Sequence, residues 1–516
     1  MKGFIKRRKL KYASVAVMIT VLVVAAVILL NVITSMLSQR YEWMYRDMSS
    51  EALYSISENC KEYISKYVIS EVDRVNGADG QQKIEIIFCD ERDNIRADTS
   101  LRYIHDSVYE IMDMFPDYME AEYINVWENP SLARQYGVTS TGDVVCKFGD
   151  RYETMNFADF YLFDSEDAEK AIAYNGEKII ASCLMRVTQK NTPVCYFTAN
   201  HGEEFSDTTL MRTVVEAGYT VKFVDLSKSD VPEECELLIT FDPKQDMAVS
   251  DGVSGLSEID RLDAYMARGG KYMVFLSADS FSSGSRANFE GFLAEWGVKY
   301  MHRTANDGTE NSYVVKDSAN SITVNGYTVL SRNATIGRGA DVLSDKSYPN
   351  AFGNATTIQF ADDFKSDGKG NFVKNTQSGA REVSAILTSH REAEAYAGGV
   401  AVARADKDPF VLMSMSYQKQ ANGKESYLIA STSTEFAESQ LMQSAVLGNS
   451  RTLTEIMRYM GKENAPSELV FKPFESTQIE SLTVSAANAI TLALALTPAV
   501  VLATLGTVVL IKRKRL

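Results

Sequence analysis

The sequence has few of the residues, and none of the short motifs, on which most enzymes depend. Among its 516 residues only four are histidines, so candidates for proton transfer or metal binding are few. It has no G-x-x-x-x-G-K-[ST] loop that could cradle the phosphates of ATP. The patterns H-E-x-x-H, G-x-S-x-G and C-x-x-C are also missing. We therefore expect no cofactor and no metal, and any ATP hydrolysis must belong to another polypeptide.

Positive charge is scarce outside the two ends of the chain. The sequence has 53 Lys and Arg against 68 Asp and Glu, and six of the first twelve residues and four of the last five are basic. A phosphate-binding surface needs clustered cations, so the acidic middle of the chain argues against nucleic-acid binding. Hydrophobic residues make up 45% of the chain and aromatic residues 10%, which is enough to bury a core and excludes disorder.

Two long uncharged runs predict membrane spans. Residues 13–37 have no charge, nor do residues 481–511, and about 20 helical residues cross a bilayer. A cleaved signal peptide is the alternative for the first run, but its apolar part exceeds the usual ~7–15 residues and no A-x-A-like site follows. The positive-inside rule keeps the basic tails, 1–12 and 512–516, in the cytoplasm. We expect transmembrane helices at 13–37 and 486–511 in the cytoplasmic membrane, with the main body extracytoplasmic.

The second predicted span has a row of small residues. Ala495, Ala499 and Ala503 follow each other at a spacing of four. Small residues at this spacing allow another helix to approach closely, which favours docking on a membrane partner. Alanine is also common in any span, so an ordinary lipid-facing helix is the alternative.

The six cysteines have no recognisable pairing pattern. All of them precede residue 236. Six cysteines can form three disulfides in fifteen ways, but an external region of this size can build a core without such bridges. Apolar contexts such as Ile87-Phe88-Cys89 are typical of buried strands. We favour mostly unpaired thiols.

The region between the spans has four parts. A membrane-proximal helix is expected within 38–79, a small α/β domain within 80–165, a parallel α/β domain within 166–300 and a β-rich region within 301–475. In the third part, strands alternate with helices, which predicts a parallel sheet of the Rossmann or flavodoxin-like type with helices on both faces. The overall fold class is α/β.

Two further expectations concern connecting segments. An acidic start followed by an apolar face predicts a linking helix over 166–187. Residues 332–380 are polar and rich in glycine, which predicts a loop.

Polar residues follow three of the predicted parallel strands. His201 and Glu203 come after the first strand, Asp242 after the third and Asp279 after the fourth. Ligands of open α/β sheets bind beyond the carboxyl ends of the strands, so these residues form a candidate site for a small molecule or metal. The alternative is structural: such residues close turns and cap helices.

Several short motifs occur in an order that resembles the gliding-motility auxiliary (GldG-like) family of ABC transport systems. They are Asp47-Met48-Ser49, Tyr54 to Ser57, Asn200-His201-Gly202-Glu203, Glu236 to Pro243, Leu262 to Phe275, Trp296-Gly297-Val298, Gly448-Asn449, and the span from Pro498 to Arg515. In the third motif, asparagine stands where the family has glycine.

The resemblance implies an auxiliary subunit of an ABC-2-type exporter that works beside a permease and an ATPase on separate chains. The external body would then bind cargo, envelope material or another protein without catalysis, and the spans would dock on the permease. A membrane-anchored hydrolase or amidotransferase-like enzyme, using the sheet edge near His201, is the alternative. A structural or sensory external domain without a transporter is the third hypothesis.

Overall fold

The computed structural model describes residues 55–77, 80, 82–163, 170–203, 205, 207–250, 257–281, 286–304, 310–377, 379–444 and 446–474, together with Leu29 and Ile33. No helix in this part of the chain is both long and apolar enough to cross a membrane. Apart from Leu29 and Ile33, the expected spans at 13–37 and 486–511 lie outside the described residues, as do both basic tails and the alanine row.

Most helices of the described residues are short. In chain order they are α1 (Glu58–Ile64), α2 (Ser70–Asn76), α3 (Arg92–Ala97), α4 (Thr99–Met114), α5 (Pro130–Tyr136), α6 (Gly176–Thr188), α7 (Thr209–Glu216), α8 (Glu258–Ala267), α9 (Ala287–Glu295), α10 (Ser439–Met442) and α11 (Asn449–Tyr459). A π-helical turn, Ser65–Ile69, joins α1 to α2. Asp98 caps α4 and Ser257 caps α8 by accepting hydrogen bonds from backbone N–H groups of the first turn.

Strands occur in both halves of the described chain. The first half contains β1 (Ile84–Phe88), β2 (Met119–Tyr123), β3 (Val144–Phe148), β4 (Arg151–Met155), β5 (Tyr161–Phe163), β6 (Ala171–Tyr174), β7 (Val194–Thr198), β8 (Thr220–Val224), β9 (Cys235–Phe241) and β10 (Lys271–Phe275). The second half contains β11 (Val298–Tyr300), β12 (His302–Thr304), β13 (Glu310–Ser312), β14 (Val314–Lys316), β15 (Thr328–Asn333), β16 (Ala351–Gly353), β17 (Ile358–Phe360), β18 (Lys365–Ser366), β19 (Phe372–Thr376), β20 (Gly379–Ser389), β21 (Glu394–Ala397), β22 (Val400–Arg404), β23 (Val411–Lys419), β24 (Glu425–Ser431) and β25 (Lys472–Pro473).

A small sheet near the start of the described chain has the order β2-β1-β3-β4. Strands β1 and β2 pair in parallel, and β3 forms an antiparallel hairpin with β4. Three buried residues of this unit, Ile87, Cys89 and Val145, form its local apolar cluster.

The largest sheet runs in the order β16-β15-β20-β23-β24-β10-β9-β7-β8. Strands β8, β7, β9, β10 and β24 are parallel neighbours, and β24 then pairs antiparallel with β23. Along the chain the parallel strands have the spatial order 2-1-3-4-5, which is typical of flavodoxin-like sheets. The switch point of this order lies between β7 and β9.

The two faces of this sheet bury separate apolar cores. Leu237 and Ile239 of β9 point to the face that holds Val214 of α7 and Ile456 of α11. Leu238 points to the opposite face, because side chains alternate along a strand. Helices α8 and α9 cover that opposite face through Leu262, Met266, Phe289 and Phe292. Each fully buried Leu, Ile or Phe side chain contributes about 1.5–3 kcal/mol to folding, so both helical layers stabilise the sheet.

The expected boundary at residue 300 does not divide two sheets. Strand β24 from the β-rich region pairs with β10, with Val274 opposite Ala430. The parallel and β-rich parts therefore share one hydrogen-bonded sheet. The alternation of strands and helices in the sequence ends near residue 300, but the fifth parallel strand, β24, begins only at Glu425.

Two expected connecting segments differ from the structure. Residues 332–380 are not a continuous loop, because they contain β16, β17, β18 and β19. These strands have two to five residues, too few for a clear period. Strand β17 pairs with the distant β11, whereas β18 and β19 pair with each other. The helix expected over 166–187 begins only at Gly176, because Ala171–Tyr174 is a strand that pairs with β5 and β25.

The six cysteines are all buried and none is in a disulfide. Burial raises the pKa of the Cys195 thiol well above its ordinary value. This thiol lies inside a central strand, where it packs as a small apolar side chain.

Candidate functional site

The loop after β7 contains two residues in the left-handed backbone region. Asn200 has φ 82° and Gly202 has φ 77°. Asparagine tolerates this region better than most side chains, because its short amide can bond locally. Asn200 can therefore make the turn for which the resembling family uses glycine.

This loop is bonded directly to the loop after β9. The backbone carbonyl of His201 accepts hydrogen bonds from the N–H groups of Lys244 (2.7 Å) and Gln245 (2.8 Å). The two loops flank the switch point, where doubly wound sheets bind their ligands. Backbone hydrogen bonds therefore join the two loops across the crevice at this position.

The imidazole of His201 lies between two carboxylates and is only 4% exposed. Its Nε2 is 3.0 Å from Oε1 of Glu258, and its Nδ1 is 3.5 Å from Oε1 of Glu203. Burial alone would lower the pKa of His201, but the two glutamates outweigh burial and raise that pKa to about 9. Burial would raise the pKa of Glu203, but His201 and backbone N–H groups lower it overall. The imidazole is therefore a cation at neutral pH, and the three residues form an ion cluster.

The carboxylates of both glutamates also accept hydrogen bonds from other groups of the protein. Oε2 of Glu203 accepts the backbone N–H of His201 (2.6 Å), and Oε1 accepts the hydroxyl of Thr198 (3.1 Å). Oε2 of Glu258 accepts the backbone N–H of Ala248 (2.7 Å). The hydroxyl of Thr198 is also 2.9 Å from that of Thr240 on the next strand. Internal hydrogen bonds thus hold both carboxylates, whereas Nδ1 of His201 has only the 3.5 Å contact with Glu203 and no hydrogen bond.

Asp242 and Asp279 lie at the same edge but have other partners. Asp242 has φ 47°, accepts the hydroxyl of Ser280 (2.6 Å) and forms an ion pair with Lys244 (2.5 Å). Asp279 accepts a hydrogen bond from the amide of Asn354. The structure joins His201 to Glu203, whereas each aspartate forms its own local cluster. In the described part of the chain, no three His, Cys, Asp or Glu residues are placed to hold a metal ion.

Three further acidic residues lie at this edge without a signal in the sequence. Glu258 is the first residue of α8, and Glu435 and Glu438 follow the last parallel strand. Burial and the nearby Asp279 raise the pKa of Glu435. Burial, Glu435 and Asp207 raise that of Glu438. None of the three could be placed at this edge from the sequence, because each reaches it through an element that is distant in sequence from His201.

Residues 192–326 match the model of a family described as an ABC-type uncharacterized transport system, ABC_transp_aux. The matched segment contains β7 to β10 and the His201 cluster. The match supports an auxiliary component of an ABC transport system, and such a system implies a permease and an ATPase as partners. Comparison with curated proteins gives no match.

Several solved structures resemble the chain weakly. The mmIFT52 N-terminal domain has 13% identity and a TM-score of 0.35, with coverage of 52% of this chain and 96% of that one. A putative ThuA-like protein from Bacteroides uniformis has 11% identity and a TM-score of 0.30, with coverage of 54% and 97%. A glutamine amidotransferase from Thermotoga maritima has 9% identity and a TM-score of 0.24, with coverage of 54% and 98%. Similarities this weak do not assign a function to the chain.

Proposed function

We propose that the chain is a non-enzymatic auxiliary subunit of an ABC-2-type export system. The observation that carries the proposal is the family match over residues 192–326. The sequence has no phosphate-binding loop of its own, so the ATPase and the permease would be separate chains. The large external body would bind cargo, envelope material or a partner protein.

The His201 cluster supports the absence of catalysis. A general base needs a free lone pair at working pH, but an imidazole whose pKa is about 9 holds its proton at neutral pH. Both ring nitrogens face carboxylates at 3.0 and 3.5 Å. The backbone carbonyl of His201 also accepts hydrogen bonds from Lys244 and Gln245, which join the two loops at the edge where ligands of this fold bind.

We further propose that both termini lie in the cytoplasm and that the body is extracytoplasmic. The support is the placement of basic residues outside the two uncharged runs. In this arrangement Ala495, Ala499 and Ala503 form the surface that docks on the permease, since small residues permit close helix packing.

Co-purification from native membranes tests the proposal. Tagged full chain is expected to recover the permease and the ATPase of its system. Replacing Ala499 with leucine should reduce recovery of the permease, because a larger side chain separates the helices. Val501→Leu, two positions further on and so facing away on a helix, is the matched control and should leave recovery unchanged. Failure of the wild-type chain to recover either subunit would contradict the proposal.

A further inference from the structure

A groove of about 420 Å³ lies on the β-rich side of the large sheet. Its apolar lining includes Ile336, Phe360, Phe372 and Pro409. The two cations of the lining are Arg332 and Arg391, and no lining residue is acidic. Part of the groove is built from the segment for which the sequence predicted a loop.

Two aromatic rings and a close backbone contact shape the groove. The ring centroids of Phe360 and Phe372 are 4.9 Å apart. Gly370 has φ +96°, and a Cβ atom there would lie 2.6 Å from the backbone nitrogen of Gly337. Only glycine allows this approach of the two turns. The side chain of Ile336 is 64% exposed, so the groove keeps an open apolar rim.

Among the described residues, neither arginine of the lining has an acidic partner. Elsewhere Arg338 pairs with Glu382 and Arg404 with Glu394. Arg332 and Arg391 are exposed, and in the described residues neither side chain forms an ion pair or a hydrogen bond. Arg332 is the cross-strand neighbour of Thr388 on β20, and Thr388 lines the groove with Arg391 just beyond it.

We propose that this groove binds a small anionic molecule with an apolar body, such as an aromatic phosphate. The volume lies in the range of about 300–1,000 Å³ that is typical of small-molecule sites. Guanidinium groups bind phosphate and carboxylate oxygens through paired N–H donors. The rings of Phe360 and Phe372 would contact the apolar body, and the arginines would contact the anion. The proposal does not depend on the transport role.

Isothermal titration calorimetry on the full chain in lipid nanodiscs tests this proposal, with empty nanodiscs as the blank. The probe is 1-naphthyl phosphate, and 1-naphthol is the neutral compound with the same ring. We expect the phosphate to bind more tightly than the naphthol. Arg332→Gln and Arg391→Gln should each weaken phosphate binding by about tenfold, since each removes charge-assisted hydrogen bonds.

Three comparisons decide the outcome. Arg102→Gln removes an exposed arginine on α4, away from the groove, and should leave binding unchanged. Ile336→Ser should weaken both the phosphate and the naphthol, because it removes apolar contact at an exposed position that folding tolerates. Equal affinity for the phosphate and the naphthol, no binding of either by the wild-type chain, or the same loss in Arg102→Gln as in Arg332→Gln would overturn the proposal.

Discussion

The Nε2 atom of His201 lies 3.0 Å from Oε1 of Glu258, although the residues are 57 positions apart. The contact connects the loop after β7 to the start of α8. Together with Glu203, it places a buried cation between two anions at the switch point of the parallel sheet. The cluster therefore stabilises the edge at which sheets of this type bind ligands.

The His201 cluster predicts a pH-dependent stability. The pKa of His201 is raised from 6.5 to about 9 in the folded protein. The imidazole is protonated in both states below about pH 6.5, so the stabilisation is complete there. Between about pH 6.5 and 9 the unfolded chain loses its proton first, and the free energy of unfolding falls by up to about 3 kcal/mol.

Chemical unfolding of the full chain between pH 6 and 10 measures this fall. His201→Gln should reduce the pH dependence of the free energy of unfolding, because glutamine does not titrate. His390→Gln changes a half-buried histidine outside the cluster and should retain the wild-type pH dependence. If His201→Gln keeps the wild-type pH dependence of the free energy of unfolding, the fall does not come from His201.

Substitutions of Asn200 test the left-handed turn. Its φ is 82°, a value at which glycine has no steric cost. Asn200→Gly should therefore change the free energy of unfolding by less than about 1 kcal/mol, whereas Asn200→Val should lower it by about 1–2 kcal/mol. Thermal unfolding of the two variants gives the comparison. Equal effects would mean that the backbone does not require this conformation.

Lys178 and Glu216 form a buried ion pair that connects α6 to α7. Their charged atoms are 2.8 Å apart, and the side chains are 5% and 10% exposed. Lys178→Met leaves Glu216 without this partner and should lower the free energy of unfolding by about 3–5 kcal/mol. The double variant with Glu216→Leu should recover part of that loss, since no lone charge remains buried. A double-mutant cycle by chemical unfolding measures the coupling, and strict additivity would contradict a direct interaction.

Removing the negative charge of Glu435 from the acidic sheet edge should stabilise the folded protein. Burial and Asp279 raise the pKa of Glu435, so its charged form is disfavoured in the folded protein. Glu435→Gln should raise the free energy of unfolding at pH 7.5 by up to about 1 kcal/mol, and the gain should vanish as the pH falls towards 4.5. Glu62→Gln, on the surface of α1, is the control and should change little. A loss of stability in Glu435→Gln would contradict this interpretation.

Local patterns indicate the first four parallel strands, β7 to β10, because each is a short apolar run between turns or helices. Ser257 caps α8, as is typical of a serine that precedes an acidic first turn. Strands β16 to β19 were missed because their two to five residues show no period. Of these four strands, β17 pairs with the distant β11 and β23, whereas β16, β18 and β19 pair with neighbouring strands of the chain.

The candidate site was only partly predictable. His201 and Glu203 are two positions apart in the sequence, so their shared turn could be anticipated. Glu258 could not, because its contact with His201 requires the helix after β9 to return over the sheet edge. Glu435 reaches that edge only through β24, which the sequence separated into another region. Pairing across such distances is a tertiary property that residue patterns do not encode locally.

ATP hydrolysis by the isolated chain and its partners tests the auxiliary role most directly. Tagged full chain is purified from native membranes and, in parallel, from a host that lacks the permease and the ATPase. We predict that the native preparation hydrolyses ATP and that substituting the phosphate-loop lysine of the ATPase abolishes this activity. The chain from the second host should hydrolyse none. Hydrolysis by the chain alone, or a native preparation without activity, would contradict an auxiliary subunit that depends on a separate ATPase.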